Sequence, residues 1–232
     1  MIEVRRFDSL GRFDNDWLSA RYHFSFAAYR DPARAGVGPL LVWNDDTIQP
    51  GRGFDRHGHR DMEIVTYVRA GAITHEDHLG NRGRTEAGDV QVMSAGTGIA
   101  HAEHNLESVE TRIFQIWIEP ARAGLPPRWE QRRFPTADRD AGLIPLASGR
   151  AGDDGALKIH QDAAILGAAL PAGRRVAHRF GRGRRGYMVA AHGEIELDGH
   201  MMLARDGVLI ADEETIAITA RTDAEILLAD LP

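Results

Sequence analysis

Four side chains that could bind a metal ion stand in two pairs, and one residue separates the members of each pair. The first pair is His57 and His59, and the second is His101 and Glu103. Because side chains alternate between the two faces of an extended strand, both members of each pair should project from one face. Two such strands would bring three imidazoles and one carboxylate to a single compact site.

The chemistry of these donors narrows the choice of cation. Neutral imidazoles with a carboxylate suit iron, nickel, copper, zinc, manganese or cobalt, whereas calcium prefers a cage of oxygen atoms. Four ligands leave one or two positions open on a six-coordinate iron, where water, substrate or dioxygen can bind, so the set predicts catalysis. A closed structural zinc site is the main alternative, because zinc is satisfied by four ligands.

Glu63 is a further candidate carboxylate. It follows His59 by four residues, and it therefore shares a strand face with both histidines of the first pair if the strand stays regular. In that position it could bind the metal in place of Glu103, or accept a hydrogen bond that orients an imidazole.

The other histidines receive no role from their sequence context. His75 and His78 stand in the charged segment His75-Glu-Asp-His-Leu-Gly-Asn81, which is typical of an exposed hairpin end. His104 directly follows Glu103 and should point to the opposite face of its strand, which favours a surface position or a supporting role over metal binding.

Composition bounds the class of protein. The 232 residues are 43% hydrophobic and 27% charged, as in a soluble globular protein with a substantial core. The absence of cysteine excludes disulfides, iron–sulfur clusters, thiolate zinc sites and cysteine nucleophiles. The net charge of −6, without a basic and aromatic tract, predicts no contact with nucleic acid. No secretory signal or membrane-spanning stretch is visible, so we expect a cytoplasmic protein without membrane contact.

The apolar pattern predicts an all-β fold. Most apolar residues stand in short runs bounded by Gly, Asp, Asn and Pro, which is typical of many short strands. Asp198-Gly199 between two such runs predicts a tight hairpin, since this turn needs positive φ at both residues. The two halves of the chain also share a similar order of apolar runs and glycine-containing turns. Together these features predict two tandem jelly-roll barrels.

This similarity allows the two halves of the sequence to be aligned on glycines. Gly71 corresponds to Gly193 and Gly88 to Gly207. The residues that then fall on the four candidate ligand positions are Arg179, Gly181, Ala220 and Thr222. None of these is a usual metal ligand, so only the first barrel is expected to hold a metal.

The motifs also carry a family resemblance. His57-Gly-His59-Arg-Asp-Met-Glu63 resembles the first cupin motif, and His101-Ala-Glu103-His104-Asn105 resembles the end of the second. Together with Trp43-Asn-Asp-Asp46 and Met93-Ser-Ala-Gly-Thr-Gly98, the set is similar to the pirin family within the cupins. The likeness spans nearly the whole chain and is strongest in the first half.

The resemblance implies a bicupin with two domains. Residues 1–134 would form an N-terminal metal-binding domain of the pirin type, and residues 135–232 a degenerate C-terminal cupin domain without metal ligands. The family pattern assigns His57, His59, His101 and Glu103 as ligands of one divalent metal, commonly iron. In this pattern the carboxylate comes from the second motif, unlike the general cupin pattern, which Glu63 matches.

Bacterial members of the family resemble quercetin 2,3-dioxygenases, which use O2 to open the central ring of a flavonol. The implied partners are therefore a small aromatic substrate and O2. The metal would lower the pKa of the substrate 3-hydroxyl as a Lewis acid, and Glu103 or Glu63 would accept its proton. The residues that could line the mouth of such a site, or equally pack in the core, are Phe24, Phe26, Phe54, Met62, Phe114 and Trp117.

Two other functions stay open at this point. Animal relatives are transcriptional co-regulators whose metal redox state affects partner binding, so a metal-dependent protein-interaction role without turnover is the first alternative. A structural cupin with a spectator metal is the second. Fold alone does not decide among them, because cupins host many unrelated chemistries.

Overall fold

The computed structural model describes residues 1–134, 139–140 and 142–232. Strands account for most of these residues, and the helices among them are two 3-10 turns, Phe7–Ser9 and Pro32–Arg34. The all-β prediction is therefore confirmed. Within the described ranges, no helix has the length and apolar composition needed to cross a membrane.

The short apolar runs form the strands. Those of the first half are β1 (Ile2–Arg5), β2 (Gly11–Asp14), β3 (Leu18–Tyr22), β4 (Leu40–Ile48), β5 (Gly53–His59), β6 (Glu63–Ala70), β7 (Ala72–Asp77), β8 (Arg82–Glu86), β9 (Val90–Ser94), β10 (Ile99–His104), β11 (Thr111–Ile118) and β12 (Arg128–Arg132). Those of the second half are β13 (Ile144–Ser148), β14 (Leu157–Lys158), β15 (Ala164–Leu170), β16 (Arg175–Arg179), β17 (Arg185–His192), β18 (Ile195–Leu197), β19 (His200–Met202), β20 (Gly207–Ala211), β21 (Thr215–Ala220) and β22 (Ala224–Leu231).

Each half builds a barrel from one large and one small sheet. In the first barrel the strand orders are β12-β9-β6-β11-β4-β3-β2 and β5-β10-β7-β8. In the second they are β1-β20-β17-β22-β15-β13-β14 and β16-β21-β18-β19. The order of the small sheet is the same in both barrels, as expected for two tandem copies of the cupin fold. The bicupin prediction is confirmed.

The N-terminal strand departs from a simple division of the chain into halves. Strand β1 pairs with β20, Ile2 lying opposite Ile210, and so extends the large sheet of the second barrel. The predicted boundary between residues 134 and 135 touches residue 135, which lies outside the described residues. That boundary stays a prediction.

The largest apolar cluster lies between the barrels. It joins Val65 and Tyr67 of β6 to Ile165 of β15 and Tyr187 of β17, all fully buried. Because side chains on β6 alternate, Thr66 points the other way, into the first barrel. Strand β6 therefore separates the inter-barrel core from the interior where the candidate ligands lie.

The predicted hairpin at Asp198-Gly199 is present. The two residues connect β18 to β19 and have φ values of 44° and 86°. Positive φ at both central residues matches the twist of the flanking strands and explains the Asp-Gly sequence.

Candidate metal centre

The three predicted histidine ligands converge in the first barrel. His57 and His59 lie on β5, and His101 lies opposite His57 on the neighbouring antiparallel strand β10. Ring centroids are 4.8 Å apart for His57 and His59, 4.6 Å for His57 and His101, and 5.1 Å for His59 and His101. One nitrogen of each ring lies within 4.8 Å of one nitrogen of the others. The alternation on two paired strands thus produces the cluster that the spacing predicted.

Glu103 approaches this cluster through His101. A bulge between His101 and Glu103 shifts the ladder with β5, so that Glu103 lies opposite Phe54. The carboxylate forms a second close group with His101 and His75, within 4.8 Å. The four predicted ligands, together with His75, therefore form two overlapping triads that share His101. Their assignment as metal ligands stays a prediction.

Three polar side chains surround the buried carboxylate of Glu103. The Nε2 amide of Gln91 donates to Oε1, and Nε2 of Gln115 donates to Oε2 at 2.8 Å. Burial raises the pKa of Glu103 to about 7, although these amides and the Thr66 hydroxyl lower it in part. A carboxylate held in this way can take up or release a proton near neutral pH.

Two of the histidines, His59 and His101, favour the neutral form that binds metals. Burial lowers the pKa of His101 to about 3, with further contributions from His57 and His59. Burial, together with His57, lowers the pKa of His59 to about 4. The Nε2 atom of His101 is buried and has no hydrogen-bond partner among the residues that the structure describes. An unpaired imidazole nitrogen close to two further imidazoles fits a divalent cation.

His75 belongs to the site, although its sequence context suggested otherwise. Its side chain is fully buried, so the prediction of an exposed hairpin end is wrong for His75, whereas His78 is exposed. The reason is that β10 pairs with β7 and places His75 opposite Glu103. The ring also stacks on Trp129, with centroids 4.8 Å apart and planes 7° apart.

A chain of hydrogen bonds runs from Asp77 to His101. His75 Nε2 donates to Asp77 Oδ2 at 3.1 Å, which leaves His75 Nδ1 as an acceptor. His101 Nδ1 lies 3.4 Å from His75 Nδ1 and donates to it in the matching tautomer. Since each neutral imidazole carries one proton, this arrangement leaves His101 Nε2 as a free lone pair. Such partners orient metal-binding histidines.

Glu63 does not join the cluster. Strand β5 ends at His59, Asp61 adopts φ of 45°, and Glu63 begins β6 in the other sheet. The strand does not stay regular through residue 63, so the condition for Glu63 to share a face with both histidines is not met. Glu63 shares a face of β6 with Val65, toward the second barrel. Its carboxylate accepts from Ser94 Oγ at 2.6 Å and lies 3.1 Å from Nδ1 of His160, a position that disfavours its predicted catalytic role.

A cavity of about 170 Å³ opens beside the candidate ligands. His57, His59, Glu103 and Gln115 line one part of it, and Asn44 and Asp46 add polar groups. Its apolar lining consists of Leu18, Tyr22, Phe26, Phe54 and Trp117. Of the six residues proposed from the sequence for this mouth, Phe26, Phe54 and Trp117 line it. Phe24 and Phe114 pack between the barrels, and Met62 packs beside Ile64.

The strand ladders give the true correspondence between the barrels. The residues that match Thr66, Gln91, Glu103 and Gln115 are Met188, Val208, Ile218 and Leu228. Those that match His57, His59, His75 and His101 are His178, Phe180, Leu197 and Ile216. The apolar members of both sets all belong to the core cluster of the second barrel.

The alignment on glycines was therefore wrong in register. It placed Arg179, Gly181, Ala220 and Thr222 at the ligand positions, because the connections between the matched glycines and the ligand strands differ in length in the two halves. The ladders instead place a histidine, His178, where His57 stands. Its Nε2 lies 3.0 Å from the carboxylate of Asp230, and the three other positions are apolar.

Replacing His75 by leucine, the residue that the second barrel carries at this position, should weaken metal binding about 10- to 100-fold. The variant removes the acceptor for His101 Nδ1 and frees that ring to change tautomer. Competition with a chromophoric chelator would measure the dissociation constant. The exposed neighbour His78, changed to alanine, serves as the control. An unaltered affinity in a folded His75→Leu protein would contradict a positioning role.

Profile comparison assigns a known family to each half of the chain. The profile described as Pirin matches residues 3–118. The profile described as the quercetinase C-terminal cupin domain matches residues 146–231.

Relatives match along the full length. A pirin-like protein from Caulobacter vibrioides is 55% identical over 230 residues, which cover 99% of this chain and 99% of the relative. The quercetin 2,3-dioxygenase of Escherichia coli K12 is 42% identical over 233 residues, covering 100% of this chain and 99% of the relative. The crystal structure of the bacterial pirin YhhW from Escherichia coli in complex with nickel(II) has a TM-score of 0.93 at 42% identity, covering 100% of this chain and 99% of that chain.

Proposed function

The chain belongs to the pirin family, and on this premise we propose that it is a metal-dependent dioxygenase that opens the ring of a flavonol such as quercetin. The observation that carries the proposal is the cavity in which His57, His59 and Glu103 meet an apolar lining. A relative at 42% identity is named quercetin 2,3-dioxygenase, which supports the choice of reaction.

We propose that His57, His59, His101 and Glu103 hold one divalent metal. Iron is common in the family, and a similar bacterial pirin has been crystallised with nickel(II), so both metals are candidates. The unpaired Nε2 of His101 is the local observation that favours a cation here. The bound metal would supply a Lewis acid that lowers the pKa of a substrate hydroxyl.

Residues of the chain would carry out proton transfer and exclude water from the site. Glu103 would take the proton of the flavonol 3-hydroxyl, and the amides of Gln91 and Gln115 would hold its carboxylate in place. Phe26, Phe54 and Trp117 would shield the reacting groups from water. Because Glu63 faces the second barrel, we assign the base to Glu103 alone.

Oxygen uptake provides the direct test. Protein loaded with iron under argon and then exposed to air should consume O2 with quercetin, bleach its absorption and release carbon monoxide in equal amount. Flavone, which lacks the 3-hydroxyl, should give no uptake and is the control substrate. A protein that binds one metal but consumes no O2 with any flavonol would contradict the proposal and favour the protein-interaction role.

A further inference from the structure

Two buried polar residues in the cavity have unpaired oxygen atoms. Asn44 and Asp46 are each 3% exposed, and both line the cavity beside His57 and His59. Oδ1 of Asn44 and Oδ1 of Asp46 have no hydrogen-bond partner within the described part of the chain. A buried polar atom without a partner is destabilising, and in native proteins it calls for a specific explanation.

Asp45, which stands between Asn44 and Asp46, shows that the lack of hydrogen-bond partners is not a property of the whole segment. Asp45 points to the other face of β4, and its carboxylate is paired with Arg69 and Arg205. Each oxygen of the buried Asp45 carboxylate therefore has a partner. Only Asn44 and Asp46, which face the cavity, keep free oxygen atoms.

The second barrel shows that the fold does not require polar groups here. Gln115 lies opposite Asn44, and its counterpart Leu228 lies opposite Leu166. By the same ladder Ala168 matches Asp46. Leu166 and Ala168 both belong to the apolar core of that barrel. Asn44 and Asp46 are thus particular to the barrel that has the cavity.

Resting on the proposed function, we infer that Asn44 and Asp46 form a subsite that recognises hydroxyl groups on an aromatic ring of the substrate other than its 3-hydroxyl. Oδ1 of Asn44 is an acceptor and requires a ligand donor, which a phenolic hydroxyl supplies. The cavity volume of about 170 Å³ is close to the 150 Å³ that holds one benzene ring. One hydroxylated ring therefore enters the cavity, and the remainder of the ligand stays at its mouth.

Oδ1 of Asp46 is likewise an unpaired acceptor, to which a second phenolic hydroxyl can donate.

Quercetin and 3-hydroxyflavone separate this subsite from the metal. Both carry the 3-hydroxyl, but only quercetin has hydroxyls on the other rings. Binding to nickel-loaded protein under argon, followed by quenching of tryptophan fluorescence, measures affinity without turnover. The wild type should bind quercetin about tenfold or more tightly than 3-hydroxyflavone.

The variants Asn44→Leu and Asp46→Ala introduce the residues that the second barrel carries at these positions. Each should lose most of that preference while keeping its affinity for 3-hydroxyflavone and its metal content. Asp46→Asn retains a carbonyl oxygen and an N–H donor, and should keep the preference. Thr47→Val, at the next position of β4 and on its other face, is the matched control and should behave as wild type.

The outcomes distinguish this inference from the proposed function. Equal affinity of the wild type for the two ligands, or an unchanged preference in both Asn44→Leu and Asp46→Ala, would overturn the subsite, even if quercetin is oxidised. A preference that these variants abolish would support the subsite, even if no O2 is consumed.

Discussion

Changing His57 to alanine is expected to remove metal binding and lower oxygen uptake with quercetin at least about 100-fold. Loss of a group that only orients a ligand already costs 10- to 100-fold in affinity or activity, and His57 is a proposed ligand itself. Its Nδ1 donates to the carbonyl oxygen of Asp55 at 2.7 Å, which leaves Nε2 free for the metal. Metal content by elemental analysis and oxygen-electrode rates would measure both effects.

The His57→Ala variant should fold, because this side chain is exposed. His104 on β10 provides the matched control, since its ring points away from both triads and lies 3.5 Å from Asp55. His104→Ala should retain the metal and the rate. Full turnover in His57→Ala protein would show that the reaction occurs elsewhere.

The histidine cluster was predictable because two-residue spacing on a strand fixes the face of each side chain. That rule needs only local geometry, and it held for His57 and His59 on β5 and for His101 and Glu103 on β10. It failed for Glu63, since no sequence signal marked the turn at Asp61 that ends one sheet and begins the other. The two-residue period of side chains predicts which face a residue occupies only within an unbroken strand.

The residues around Glu103 could not be found in this way. Gln91, Gln115 and His75 come from three different strands, and their relevance depends on ladder register over long sequence separations. His75 was further hidden by the charged residues beside it, which occupy the end of the same hairpin. The pairing of β1 with β20 was likewise invisible, because nothing local to Ile2–Arg5 specifies a distant partner.

Comparison of the barrels indicates what makes one of them a site. The same ladders carry Thr66, Gln91, Glu103 and Gln115 in the first and apolar residues in the second. A polar set of this kind weakens a core unless it is completely paired. Its presence around one carboxylate is therefore best explained by a functional demand on that carboxylate.

Replacing Glu103 by glutamine tests whether the reaction requires the carboxylate. The change should lower turnover about 10²- to 10⁴-fold, the usual contribution of a general base. The hydrogen-bonding groups around residue 103 suit a side chain that accepts hydrogen bonds. Gln115 Oε1 accepts from the Trp117 indole at 3.2 Å. Gln91 Oε1 lies 3.1 Å from the Thr85 hydroxyl, whose proton it shares with Oε1 of Gln131 at 2.9 Å. Both amides therefore present N–H donors to residue 103, and a glutamine there would set donor against donor. Single-turnover oxygen uptake by metal-loaded protein would measure the loss.

Proton release separates the base from a merely structural carboxylate. Because the pKa of Glu103 is raised to about 7, the metal-free protein holds a proton there below that pH, and metal binding must expel it. Wild-type affinity should therefore rise with pH up to about 7 and level off above it, and Glu103→Gln should release about one proton fewer per metal near pH 6. Calorimetry in two buffers of different ionisation enthalpy gives the count. Identical proton release in the two proteins would mean that Glu103 neither binds the metal nor exchanges its proton there, and the base would then have to be sought among other groups.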